Sequence, residues 1–177
     1  MAVADRCRQD LIRSRRCSFT PPQAGRQLGR ADSEVEGAYV IGTASARNPD
    51  LVRQLGADEV IDYQAVKFEE IARDVGVVLD TVGGDTEQRS WRVLKRGGIL
   101  VSIVSSPSPE IAKEHGVRQA FVFIEPNAAH LAALANPVDS GKLRAVIETI
   151  LPLAEARRGH EISQSGHARG KIVLRIR

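Results

Sequence analysis

The stretch Gly98-Ile-Leu-Val-Ser-Ile-Val104 is almost continuously apolar, with no in-and-out alternation. A strand of that kind is buried on both faces, which is the pattern of a parallel sheet covered by helices. Around it, strand-like and helix-like windows alternate. Residues 38–43, 58–62, 76–80, 117–124 and 171–176 read as strands. Residues 47–55 (opening after Asn48-Pro49), 66–74, 86–94 (with Trp91 inward), 127–139 (which Pro137 must end or kink) and 152–162 read as helices. This order predicts an α/β chain with a doubly wound, mostly parallel sheet.

At 177 residues the chain can bury one sizeable core. No apolar stretch approaches the roughly 18 residues of a spanning helix, so no membrane partner is expected. Lys and Arg number 25 against 22 Asp and Glu, a net charge of +3, and aromatics are only 4%. The scattered basic residues and scarce aromatics argue against nucleic acid. Cys7 and Cys17 make neither a disulfide framework nor a C-x2-C zinc pattern, and the Arg-rich start has no apolar signal core. A reducing, cytoplasmic setting is expected. His115, His130, His160 and His167 are scattered, and no catalytic triad or metal pair can be built from them.

Composition breaks at Gly37. Residues 1–36 hold both cysteines, Pro21-Pro22 and seven arginines but no lysine, and read as an irregular segment. Residues 37–177 carry the regular alternation. Gly25 and Gly29, in Ala24-Gly-Arg-Gln-Leu-Gly-Arg30, are neither G-x-G-x-x-G nor preceded by an apolar strand.

In open α/β sheets, ligands bind at the carboxyl ends of the strands. Four such turns stand out. Thr43-Ala-Ser-Ala-Arg47 has no acid to hold a ribose 2′-hydroxyl, but offers Ser45 and Arg47, a donor set suited to a 2′-phosphate and hence to NADP. Taken alone, the same residues are better described as a helix cap and a solvated charge, because Ser is a common cap. Asp80-Thr-Val-Gly-Gly84 is a turn whose glycines either admit a ligand or only meet a backbone demand for positive φ. The third turn runs from Lys95-Arg-Gly-Gly98 through the buried strand to Ser102–Ser105, a helix-to-strand reversal that methyltransferases of this sheet type also use. Phe121-Val-Phe-Ile-Glu-Pro126 offers aromatics to a ring or a subunit boundary, or is plain core and edge.

Five phrases occur in order: Ala44-Ser-Ala-Arg47, Leu55-Gly-Ala-Asp-Glu-Val-Ile-Asp-Tyr63, Val77-Val-Leu-Asp-Thr-Val-Gly-Gly84, Ser90-Trp-Arg-Val-Leu-Lys-Arg-Gly-Gly98 and His167-Ala-Arg-Gly-Lys-Ile-Val-Leu174. In these, residues 37–177 resemble the cofactor-binding part of the medium-chain dehydrogenases/reductases, in the zinc-free quinone oxidoreductase branch. The resemblance implies a Rossmann-like domain in which Ser45, Arg47 and Tyr63 face the adenosine 2′-phosphate and Thr81, Val82, Gly83 and Gly84 border the cofactor. It also implies that Ser102, Ile103, Val104, Phe121 and Phe123 lie near the nicotinamide, and that Lys171 lies at the return toward the other domain. It implies NADP(H) as cofactor and no zinc. Tyr63, taken without it, is equally a half-buried strand-end tyrosine.

The family's barrel-like domain, first strand and glycine-rich turn have no counterpart legible in the sequence. The Rossmann-like sheet is therefore expected to be incomplete, its central slot filled poorly by residues 1–36, as in a truncated or frameshifted reading frame. In the intact family, hydride would pass from NADPH to a small quinone, enone or carbonyl substrate, chemistry that the cofactor carries, so no catalytic residue is named. The alternative is a catalytically inactive remnant, or a non-enzymatic module pairing two copies as a homodimer through the 117–124 strand. A methyltransferase is disfavoured, because Ser45 and Arg47 stand where an acid would hold the ribose.

Overall fold

The computed structural model describes residues 38–141, 145–166 and 168–177 and the backbone of residues 16–19. The described residues fall into two compact units, dividing between residues 127 and 128.

The first unit is a six-stranded sheet. Its strands are β1 (Arg16–Phe19), β2 (Tyr39–Ala44), β3 (Glu59–Asp62), β4 (Val75–Asp80), β5 (Leu94–Ser102) and β6 (Arg118–Phe121). They run in the order β3-β2-β1-β4-β5-β6, every pair parallel. This is the 3-2-1-4-5-6 order of a doubly wound dinucleotide fold. The helices between them are α1 (Pro49–Gln54), α2 (Phe68–Ile71), α3 (Asp85–Ser90) and α4 (Pro109–His115).

The expectation of a missing first strand is corrected. β1 fills the central slot, with Cys17 level with Val40 and Val77, and Ser18 level with Ile41 and Val78. An empty slot there would leave the inner edges of β2 and β4 unpaired, and four residues of extended backbone suffice to satisfy both. The glycines at 25 and 29 lie outside the described residues.

The 98–104 run behaves as its composition demands. Val78 and Leu100 pack on one face with Ile41, Phe68, Trp91 and Val117, while Val77, Ile99, Val101 and Ala120 form a cluster of their own. Strand β5 begins earlier than expected, at Leu94, with residues 95–98 interrupting the ladder between Val75–Leu94 and Val77–Ile99. Trp91 is inward, in a 3₁₀ turn that follows α3. The 66–74 helix shrinks to the single turn α2, because Ala72 is already extended and Asp74 adopts φ 55° to enter β4. Helix α4, absent from the sequence reading, has Ser108 Oγ accepting from the Ile111 N–H (3.2 Å), Pro109 in its first turn and a left-handed Gly116 closing it. Ser108 also donates to Glu110 Oε2 (2.8 Å), and this bond holds the Glu110 carboxyl below its ordinary value.

Gly42 marks where α1 crosses β2. A Cβ there would stand 2.6 Å from Val52 Cγ1 and 3.5 Å from Ala57 Cβ. Val52 is β-branched and cannot swing away cheaply. Gly42→Ala is therefore expected to destabilise the chain by about 1–3 kcal/mol, read as a lower urea midpoint at unchanged slope.

The second unit contains α5 (Ala128–Asp139), β7 (Ile147–Pro152), α6 (Ala156–Gln164) and β8 (Lys171–Arg175). Strands β7 and β8 are parallel, joined by the α6 crossover. The expected 152–162 helix is displaced: Pro152 ends β7 and opens a 3₁₀ turn, and α6 begins only at Ala156. Helix α5 runs through Pro137, which falls in its last turn. Among the described residues no helix is long and apolar enough to cross a membrane.

Candidate functional site

Because all six strands are parallel, their carboxyl ends share one edge of the sheet, and the sequence-predicted site residues of the first unit follow those ends. On β2, Ala44 leads into a turn closed by the Asn48 N–H donating to the Ser45 carbonyl (3.0 Å). Ser45 is half-buried there and Arg47 exposed. On β3, Asp62 is level with Ala44, and the Tyr63 N–H donates to the Ala44 carbonyl (3.2 Å). The Tyr63 backbone is thereby tied to the start of the turn that bears Ser45 and Arg47, the residue being 47% exposed. The Asp62 carboxylate bends back to its own turn, Oδ1 accepting from the Gln64 N–H at 3.0 Å.

The other half of the edge belongs to β4, β5 and β6, where Asp80, Ser102 and Phe121 stand level. Thr81 and Gly83 are buried, Val82 and Gly84 exposed. Gly83 and Gly84 both have positive φ, 77° and 58°, and a Cβ on Gly84 would meet nothing within 4 Å, so backbone there is open to a close approach. Ile103 is half-buried and Val104 exposed. Beyond β6 the chain leaves regular structure earlier than the 117–124 reading allowed, and Phe121 and Phe123 sit with ring centroids 6.1 Å apart. Lys171 belongs to the second unit, where it opens β8, exposed, its N–H on the Val146 carbonyl (2.8 Å).

Sequence reasoning missed two buried carboxylates beside these loops. Asp80 accepts from the Val82 and Gly83 N–H groups and from Ser102 Oγ. Glu87, in the first turn of α3, accepts from Ser105 Oγ at 3.0 Å. An Asp at a strand end three residues before Gly83 is the signal that points to the first; Glu87 has no signal of its own in the sequence. Among the described residues no three His, Cys, Asp or Glu side chains gather as a metal set.

The donor set fits a dinucleotide phosphate at one end, with hydroxyls, a guanidinium and no free-standing acid in the β2 turn, and an open glycine turn at the other. Comparison with known proteins bears on the family of the chain. Residues 55–174 match the family described as zinc-binding dehydrogenase. The NAD(P)H oxidoreductase RTN4IP1, mitochondrial, of Mus musculus is 32% identical over 167 residues, covering 79% of this chain and 42% of that one. The solved quinone oxidoreductase from Coxiella burnetii is 32% identical with a TM-score of 0.80, over 96% of this chain and 56% of that one. The Escherichia coli quinone oxidoreductase complexed with NADPH is 26% identical, TM-score 0.72, over 90% of this chain and 56% of that one. The chain thus spans about half the length of these relatives.

Proposed function

The chain belongs to the zinc-binding dehydrogenase family, in the quinone oxidoreductase-like branch of the medium-chain dehydrogenases/reductases and corresponding to its C-terminal part, and we propose that it binds NADP(H) for the reduction of a small quinone, enone or carbonyl compound. The observation that carries the reading is the bond from the Tyr63 N–H to the Ala44 carbonyl, which draws Tyr63 to the turn of Ser45 and Arg47. Ser45 and Tyr63 offer hydroxyls and Arg47 a planar fork of N–H groups, all suited to a phosphate on the ribose 2′-oxygen. The relatives' names, an NAD(P)H oxidoreductase and a quinone oxidoreductase complexed with NADPH, support the nicotinamide cofactor.

When bound, the cofactor supplies the hydride. In this reading the residues of the chain hold and orient it: Thr81–Gly84 border the cofactor, Ser102–Val104 lie near its nicotinamide half, and Phe121 and Phe123 shield that half from water. Lys171 keeps the place the resemblance gives it, at the return toward the other domain. No zinc site is assigned, and residence in a reducing cytoplasm rests on the two unframed cysteines. The test is a titration of the 177-residue chain with NADPH and, separately, NADH, followed by nicotinamide fluorescence. Saturable binding with NADPH clearly tighter supports the reading, and binding of neither removes it. Turnover of NADPH with a simple quinone separates an active enzyme from an inactive remnant.

The edge at β6 favours a homodimer as well. β6 is the last strand of the sheet, and Phe123 and Ile124 beyond it are 76% and 85% exposed. An uncovered apolar edge pairs readily with a second copy. Ile124→Lys is expected to shift sedimentation from dimer toward monomer, and a wild-type chain that is monomeric at all concentrations would end this part of the reading.

A further inference from the structure

We propose that Asp80 and Ser102 are a positioning pair that ties the 81–84 turn bordering the cofactor to the 103–105 loop of the nicotinamide half and so pre-sets that half of the site, an inference that rests on the NADP(H)-binding reading above. Both side chains are 0% exposed, and together they gather the backbone of both loops. Asp80 Oδ1 accepts from the Val82 N–H (3.1 Å) and the Gly83 N–H (2.9 Å), fixing the 81–84 turn. Its Oδ2 accepts from Ser102 Oγ at 3.1 Å. That hydroxyl oxygen accepts in turn from the Val104 N–H (3.2 Å) and, more distantly, the Ser105 N–H (3.4 Å), fixing the 103–105 loop.

The main chain repeats the tie. The Ile103 N–H donates to the Asp80 carbonyl (3.2 Å), and the Val122 N–H to the Ser102 carbonyl (2.9 Å), so the segment beyond β6 is held to the same pair. A Cβ built on Gly83 would stand 3.1 Å from Val104 Cγ1, so the two loops touch. Ser105 Oγ on Glu87 anchors the far side of the second loop to α3. A carboxylate is required at 80 because both its oxygens accept. An amide would present N–H groups to a Ser102 oxygen already holding two donors, and would leave the serine proton without an acceptor. Groups held this way cost nothing to order when a ligand arrives, which is how a preformed site gains affinity.

The experiment compares NADPH with adenosine 2′,5′-bisphosphate, which lacks the nicotinamide half, on the 177-residue chain and on its Ser102→Ala, Asp80→Asn and Ser105→Ala variants. Retained binding of the bisphosphate is the control for folding. The expected result for Ser102→Ala is NADPH binding weakened about tenfold while bisphosphate binding stays within about twofold of wild type. Asp80→Asn should do the same, and Ser105→Ala, whose hydroxyl sits on the loop rather than between the strands, should do so more weakly. A merely structural role would lower both ligands together, and that outcome overturns the proposal, as does an unchanged ratio in all three variants. Should the wild-type chain bind the bisphosphate but not NADPH, the pair is not pre-setting a nicotinamide site and the inference alone falls. Should it bind neither, the NADP(H) reading falls and takes the inference with it.

Discussion

Replacing Arg47 by Ala is expected to weaken NADPH binding by about tenfold while leaving NADH within about twofold, abolishing most of the discrimination between the two. Hydrogen bonds to a charged group contribute roughly 1.5–3 kcal/mol, which spans about 10- to 150-fold in affinity. Arg47 is exposed, so solvent screens its charge, and the low end of that range applies. Two further readings sharpen the result. Arg47→Lys should keep part of the preference, because it keeps the charge but loses the planar fork. Raising the ionic strength should narrow the wild-type gap between NADPH and NADH, since the discriminating charge faces water. Equal losses for both cofactors would mean that Arg47 acts through its turn, closed by the Asn48 N–H on the Ser45 carbonyl, and not through a phosphate.

The strand-end rule locates the loops for a physical reason: six parallel strands put every loop that follows a strand on one edge, so knowing the strands is knowing the loops. Residues 38–43, 76–80 and 98–104 are legible because apolar runs of that length have few other uses. What stayed hidden depends on partners that a sequence does not display. Glu87 looks like an ordinary surface acid until the Ser105 hydroxyl on it is known, and Asp80, marked only by its strand-end place before Gly83, displays neither the backbone N–H groups nor the Ser102 hydroxyl that it holds. Helix α4 is the opposite case, since Ser108-Pro109-Glu110 and Gly116 are start and stop signals present in the sequence and passed over. Strand β7 was lost to Pro152, read as the opening of a helix when it is also the end of a strand.

Strand β1 is the deepest omission, and it carries the largest expected effect on stability. Arg16-Cys-Ser-Phe19 is too short and too mixed to announce a strand by period. Its assignment comes from the sheet: β2 and β4 are both parallel to it, and Ser18 is level with Ile41 on one side and Val78 on the other. A proline at a central position removes a ladder N–H and cannot be relieved by turning that group to solvent. Ser18→Pro is therefore expected to orphan a buried carbonyl, at about 1–3 kcal/mol, and to break the register on both sides. With the register broken on both sides as well, the total loss exceeds that of Gly42→Ala and is set against a usual domain stability of only about 5–15 kcal/mol. The measurement is thermal unfolding by circular dichroism, with a sharp transition for the wild-type chain and an earlier, broader one for Ser18→Pro. A chain beginning at Gly37 is the stronger form of the same test, since it deletes the middle of the sheet and exposes the inner edges of β2 and β4. It should lose the cooperative transition and aggregate through those edges. An unchanged transition in both would mean that β2 and β4 hold without the strand between them, and that the composition break at Gly37 marks the start of an independently folding unit after all.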